Sequence, residues 1–150
     1  MKILVFVKQV PDTDDVKLDP HTGNLMRDGV QSIINPLDAN GVETALQLKE
    51  QNGGKGVAIS MGPPQADDVL KKALAMGCDE SVLISDRALG GADTLATGYP
   101  LAKAAQKIGD YDLIICGRHA IDAETAQTGP IIAAFLDIPQ VTLVDSVRIE

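Results

Sequence analysis

Residues Asp110 to Pro130 read DYDLIICGRHAIDAETAQTGP, and their reading decides the fold. Leu113, Ile114, Ile115 and Cys116 form a continuous apolar run, the pattern of a parallel strand covered on both faces. Gly117 ends it. A mostly polar stretch continues to Gln127, after which Thr128, Gly129 and Pro130 open a helix. Pro130 suits the first helical position, where a missing N–H has no helical partner to lose. Strand, turn and helix start in this order form either an ordinary connection or a phosphate-facing loop. Free amides and the positive end of the helix dipole attract an anion, and ligands of open α/β sheets gather at the carboxyl ends of the strands.

Working outward, the same alternation recurs. Ile3 to Val7 is a first strand, followed after Lys8 by a long polar excursion. Within the excursion Val16, Leu18, Leu25 and Met26 flank Asp19 to Asn24 in the manner of a small β-hairpin. Asp12, Asp14 and Asp15 fail as a calcium loop, because Val16 holds a ligand position and the glycine and distal glutamate are missing. Asn35 and Pro36 fit the N-cap and first position of a helix whose stripe is Leu37, Gly41, Val42, Ala45, Leu46 and Lys49. Asn52 to Gly56 read as a surface turn.

Val57 to Met61 form a second strand. Gly62-Pro63-Pro64 leads to a helix carrying Ala66, Val69, Leu70, Ala73 and Leu74, with Gly77 as its stop. Ser81 to Ile84 is a third strand, and the loop from Ser85 to Asp93, with Gly90 and Gly91, reaches a helix at Thr94. Pro100 should kink that helix and set its first turn apart. The fourth helix runs to Leu136, and Val141 to Val144 form a fifth strand after Ile138-Pro139. Such alternation predicts an α/β fold: a parallel, Rossmann-like sheet with helices on both faces, right-handed crossovers and a hairpin excursion after strand one.

The 150 residues suit one nucleotide-binding domain spanning 1–150. Lys and Arg number 13 against 21 Asp and Glu, for a net charge of -8, and aromatic residues are few. Nucleic acid is therefore not an expected partner, and any phosphate must be held by local amides rather than by a basic field. The apolar run Ile3 to Val7 is too short for a signal peptide or membrane insertion, so the expected location is cytoplasmic. Cys78 and Cys116 read as reduced packing residues, and His21 and His119, the two histidines, do not suggest a metal site.

G-x-G-x-x-G and the P-loop pattern are both absent. Topology instead gathers Phe6, Asn35 to Asp38, Met61-Gly62 and the loop after Cys116, whose main-chain groups can read an adenine edge while the fourth helix start holds its phosphate. Asp93, Thr94 and Thr97 stand at another helix start. Their hydroxyls are open to a ligand, although capping and local helix bonding are the favoured reading of the residues alone. Asp122 and Glu124 do not form a paired-carboxylate site, and no catalytic residue is expected.

Six segments, VKQVPDT at Val7 to Thr13, INPLDANGVETAL at Ile34 to Leu46, MGPPQA at Met61 to Ala66, ALAMGCDE at Ala73 to Glu80, GADTLAT at Gly91 to Thr97 and GRHAIDAETAQTGP at Gly117 to Pro130, closely resemble the β subunit of electron transfer flavoproteins. The resemblance covers the whole chain in order. It implies a heterodimer with a flavin-bearing α subunit and an adenine-nucleotide site in this subunit. In many members that nucleotide is a structural AMP; in flavin-bifurcating members FAD takes its place and receives electrons from NADH. MGPPQA and GADTLAT look more like the bifurcating group, in which Thr94 and Thr97 would meet the further phosphate and ribityl groups of FAD.

Carried over residue by residue, the resemblance places cofactor contacts at Phe6, at Asn35, Pro36, Leu37 and Asp38, and at Met61 and Gly62. Asp93, Thr94 and Thr97 join them. The loop adds Gly117, Arg118, His119, Ala120, Ile121 and Asp122, then Ala123, Glu124, Thr125, Ala126, Gln127 and Thr128. His119 stands where glutamine is common, and Ala126 where some AMP-binding members have asparagine. The family's C-terminal extension, which embraces the α subunit, is expected to be absent beyond Glu150. An acyl-CoA dehydrogenase or similar flavoenzyme is the implied redox partner. NADH oxidation is implied only for a bifurcating protein assembled with its α subunit.

Three other readings remain. One is a non-bifurcating β subunit holding AMP, and another an assembly subunit with a vestigial site. The third is a universal-stress-type ATP or AMP module, whose phosphate loop, a G-x-x-G followed about nine residues later by G-[ST], is missing.

Overall fold

The structure is a computed structural model. It describes residues 1–12 and 31–150 in full and, between them, the backbone of 17–18 and 25–26. Its centre is a four-stranded parallel sheet of β1 (Lys2–Phe6), β6 (Lys55–Met61), β7 (Glu80–Ile84) and β8 (Leu113–Cys116), in the order β7-β6-β1-β8. The first strand to form in sequence is thus central, and the chain winds outward to both sides, as in Rossmann-like sheets. The register pairs Phe6 with Ile59 on one side and with Cys116 on the other, so these three residues lie level at the carboxyl ends of their strands.

Alternation along β1 divides the core in two. Ile3 and Val5 face α1 (Pro36–Asn52) and α2 (Asp67–Met76), packing with Val42, Ala45, Leu48, Val69 and Leu70. Leu4 and Phe6 face the other way, toward Leu101, Ala102 and Ala105 of α3 (Thr94–Ile108) and Ile132 of α4 (Thr128–Leu136). Because both faces are covered, β1 is apolar without alternation, and each such buried aliphatic side chain contributes about 2 kcal/mol.

Two glycines set how closely the helices approach. A Cβ at Gly41 would lie 3.3 Å from Ile115 Cγ2, which draws the start of α1 against β8. A Cβ at Gly98 would collide with Ile131 Cγ2 and lie 3.1 Å from Ile131 Cβ, so α3 and α4 meet backbone against side chain.

The excursion after β1 is tied down by a ladder the sequence did not suggest: β2 (Gln9–Pro11) pairs antiparallel with β5 (Ser32–Ile34), which feeds directly into α1. The expected hairpin is present as β3 (Lys17–Leu18) paired with β4 (Leu25–Met26). Its turn, Asp19 to Asn24, along with Asp14, Asp15, Val16 and His21, lies outside the described residues.

Four expectations are corrected. Val141 to Val144 is not a strand: Val141 is 84% and Leu143 76% exposed, and Leu143 sits at φ 57°, which breaks an extended run. β8 is consequently the edge of the sheet, half-buried rather than covered throughout. Pro130 stands third in α4, not first; any of the first four helical positions tolerates a missing N–H, so proline does not mark the boundary by itself. Pro100 does not set the first turn of α3 apart, because that turn is held by the Asp93 cap, which accepts from Ala96 N at 2.8 Å, and by the seating of Gly98 on Ile131.

Candidate functional site

A cavity of about 310 Å³ opens at the carboxyl ends of β1, β6 and β8, at the low end of the size range of small-molecule sites. Phe6, Ile59 and Met61 form its apolar floor. Asp93, Thr94 and Thr97 line one wall from the start of α3, and Gly117 to Ala120, Ala123 to Ala126 and Thr128 line the opposite wall. The sheet thus brings together fifteen of the residues singled out in the sequence, from five separate stretches.

Seven of them lie behind the lining. Asn35, Pro36, Leu37, Gly62, Ile121, Asp122 and Gln127 do not face the cavity. Gly62 serves the turn after β6, donating its N–H to Ile84 O at 3.0 Å. Asp122 is held by Lys8 Nζ at 2.7 and 2.8 Å. Gln127 occupies the N-cap position of α4, and its carbonyl accepts from Ile131 N at 3.0 Å. Asn35 occupies the N-cap position of α1 as expected, but its side chain caps nothing there: its Nδ2 donates to His119 O at 2.9 Å, and its Oδ1 accepts from Ile121 N at 3.2 Å.

Sequence reasoning missed Lys8, Ile59, Leu89, Ala92, Leu101 and Cys116 as lining residues. For Ile59 a signal was available, since it shares a face with Met61 two residues on in the same strand. Lys8 could not be found that way, because it leaves the strand before its side chain turns back toward Asp122.

Among the described residues, Asp38 is the one buried carboxylate that reaches this cavity, with its side chain accepting from Lys8 N at 2.8 Å. Burial pushes its carboxyl up to about 6, opposed by hydrogen bonds from Lys8 N, Asn35 and Gly117 N. A Cβ at Gly117 would collide with the Asp38 carboxylate and stand 2.8 Å from Asp38 N, so only glycine leaves room for the loop to begin so close to α1. Burial, reinforced by the negative charge of Asp38, pushes the Cys116 thiol up to about 12, which keeps it protonated and non-nucleophilic at neutral pH. Among the described residues no group of three His, Cys, Asp or Glu side chains could hold a metal ion, and no helix is long and apolar enough to cross a membrane.

The loop carries strain. Glu124 and Ala126 stand at φ 48° and 55°, in the left-handed region that side chains other than asparagine and aspartate seldom adopt. Asparagine would meet that demand at 126 with less cost than the alanine present.

The donor set fits a nucleotide. Thr94, Thr97, Thr128 at the start of α4, Arg118 and an apolar floor border one space. A Cβ at Gly129 would sit only 3.4 Å from Cys116 Cβ, so the α4 start closely abuts the end of β8.

Comparison with protein families matches residues 22–150 to the electron transfer flavoprotein domain. Among curated relatives, the chain is 57% identical over 150 residues to an electron transfer flavoprotein subunit beta of Thermoanaerobacterium thermosaccharolyticum, covering 100% of this chain and 57% of that protein. It is 54% identical over 151 residues to the caffeyl-CoA reductase-Etf complex subunit CarD of Acetobacterium woodii, covering 100% and 58%. To the acryloyl-CoA reductase electron transfer subunit gamma of Anaerotignum propionicum it is 50% identical over 145 residues, covering 95% and 54%. The chain therefore spans little more than half the length of these relatives. With a family match over most of its length and a parallel sheet that presents the matched loops around one cavity, this chain belongs to the electron transfer flavoprotein domain family.

Proposed function

We propose that this chain is the nucleotide-holding part of an electron transfer flavoprotein β subunit and that its nucleotide is FAD. In this reading it pairs with a flavin-bearing α subunit in the cytoplasm and serves electron transfer from NADH, by bifurcation, or from an acyl-CoA dehydrogenase or similar flavoenzyme. The observation that carries the choice of FAD is the shared cavity: Thr94 and Thr97 face the same space as the loop that leads to α4. An AMP needs one phosphate cradle, which the α4 start supplies, whereas a pyrophosphate and ribityl chain need donors further along the strand ends. FAD, when bound, supplies the redox chemistry; the chain contributes placement and electrostatics. Thr128 amide and hydroxyl would face phosphate, Thr94 and Thr97 would donate to the further polar groups, and Phe6, Ile59 and Met61 would exclude water beneath.

The second reading, a structural AMP, is favoured by the modest cavity volume of about 310 Å³. The two separate cleanly. Thr94→Val combined with Thr97→Val keeps side-chain size and removes both hydroxyls, so affinity for FAD should fall about tenfold, a loss of about 1.4 kcal/mol, while affinity for AMP stays unchanged. Absorbance of the heterodimer, with mass spectrometry of the nucleotides released on denaturation, reads the native occupant. One flavin per heterodimer with AMP released would overturn the FAD reading.

A further inference from the structure

Asn35 is fully buried, and its side chain reaches across the chain to the loop rather than to its own helix. Every polar group it has is in use. Its N–H donates to Lys8 O at 2.9 Å, and its carbonyl accepts from Asp38 N and Ala39 N. Its side-chain amide bonds the main chain 84 and 86 residues further on, donating to His119 O and accepting from Ile121 N. Those two bonds bracket Ala120, whose carbonyl accepts from Ala123 N at 3.2 Å and from Glu124 N at 2.9 Å. The orientation of one peptide therefore governs the turn that carries the distal wall of the cavity.

That turn does not hold itself. Glu124 and Ala126 lie in the left-handed region, at a cost of about 1–2 kcal/mol for an L-residue, and such conformations persist only where the surroundings over-determine them. We propose that Asn35 is a positioning residue of the nucleotide site: it lies behind the cavity lining, and by fixing both sides of Ala120 it holds residues Ala123 to Ala126 in their nucleotide-facing shape. This rests on the nucleotide reading above.

Asn35→Asp tests it. The ionised carboxylate keeps the size and the acceptor toward Ile121 N but can donate neither to His119 O nor to Asp38; a protonated carboxyl restores the two bonds to the loop. The charged and titratable groups around the position are Asp38 on α1, Lys8 after β1, Cys116 at the end of β8, and His119 and Asp122 on the loop. Burial beside Asp38 raises the new carboxyl, so the comparison spans pH 9 to about pH 5.5.

In the full-length protein, with FAD and AMP as separate probes, the variant should bind at least tenfold more weakly than the native protein at pH 9 and recover most of that difference in acid. The native protein, in which Asp38 titrates over the same range, should change by much less than the variant. Hydrogen exchange of the nucleotide-free native protein adds a readout independent of the variant's folding: the Ile121 amide should be protected. Equal binding at pH 9, a loss without acid recovery, or a freely exchanging Ile121 amide would each overturn the positioning role while leaving the nucleotide reading intact. A native protein that binds neither probe would overturn the nucleotide reading, and the role would fall with it.

Discussion

Two helix starts meet the same cavity and are built in opposite ways. At α1 the start is buried: Asn35 and Asp38 turn their side chains away from their own helix and onto the loop and the strand end. At α3 the start is exposed and self-contained: Asp93 accepts from Ala96 N in its own first turn, which leaves Thr94 and Thr97 free to line the cavity. Burial makes the difference. A buried polar group left without a partner costs about 1–3 kcal/mol, so every atom at the α1 start is committed to structure. Water can satisfy the exposed α3 start, so its hydroxyls remain available for a ligand. One start shapes the site and the other presents chemistry to it.

The comparison breaks most visibly at Gly117. Gly117→Ala places a methyl group into the Asp38 carboxylate and the backbone of Leu37 and Asp38, atoms that cannot swing aside. Stability should fall by about 3 kcal/mol, at the upper end for overpacking, measured as a shift in the denaturation midpoint. A shift within error would mean that the loop and α1 separate easily.

Next comes the pH dependence of Asp38. Its carboxyl titrates at about 6 in the folded protein, above the ordinary 3.8, chiefly through burial. Between these values the folded state binds more protons than the unfolded one. Stability is therefore lost as pH rises from about 4 through 6, and the full cost, on the order of 3 kcal/mol, is present above that window. Asp38→Asn removes the titration. The stability of the native protein relative to this variant should decline across the window, followed by denaturant titrations at stepped pH. Parallel profiles would assign the titration to another group.

The smallest effect belongs to the exposed start. Asp93→Ala deletes the cap of α3 and should cost about 1 kcal/mol of stability, read as a shift in the denaturation midpoint. A loss as large as that at Gly117 would show that the α3 start is as deeply committed to structure as that of α1.

Much of this arrangement was legible in the chain. The apolar runs at Ile3 to Val7 and Val57 to Met61 carry their own evidence, because a strand buried on both faces has little polar side to show, and Leu113 to Cys116 is legible as a strand though it forms a half-buried edge. Glycines after helices and Asp93 before one mark boundaries through local backbone chemistry. The six matched segments placed the candidate loops, and the sheet brings fifteen of those residues to one cavity. Val141 to Val144 misled for the opposite reason: a short apolar run has β character, but a strand exists only where an edge is hydrogen-bonded to it, and none is here among the described residues.

Local sequence determined the strands, the helix starts and the order in which they alternate, since those depend on residues within a few positions of each other. Tertiary structure alone decided what the polar side chains at those starts do. Asn35 has the sequence context of an N-cap, and nothing within a turn of it distinguishes it from Asp93. It becomes a clamp because Gly41 and Gly117 let α1 and the distant loop approach until the His119 and Ile121 main chain lies within hydrogen-bonding reach. A buried amide bonds whichever partner leaves no polar atom unsatisfied, and that partner stands 84 residues away.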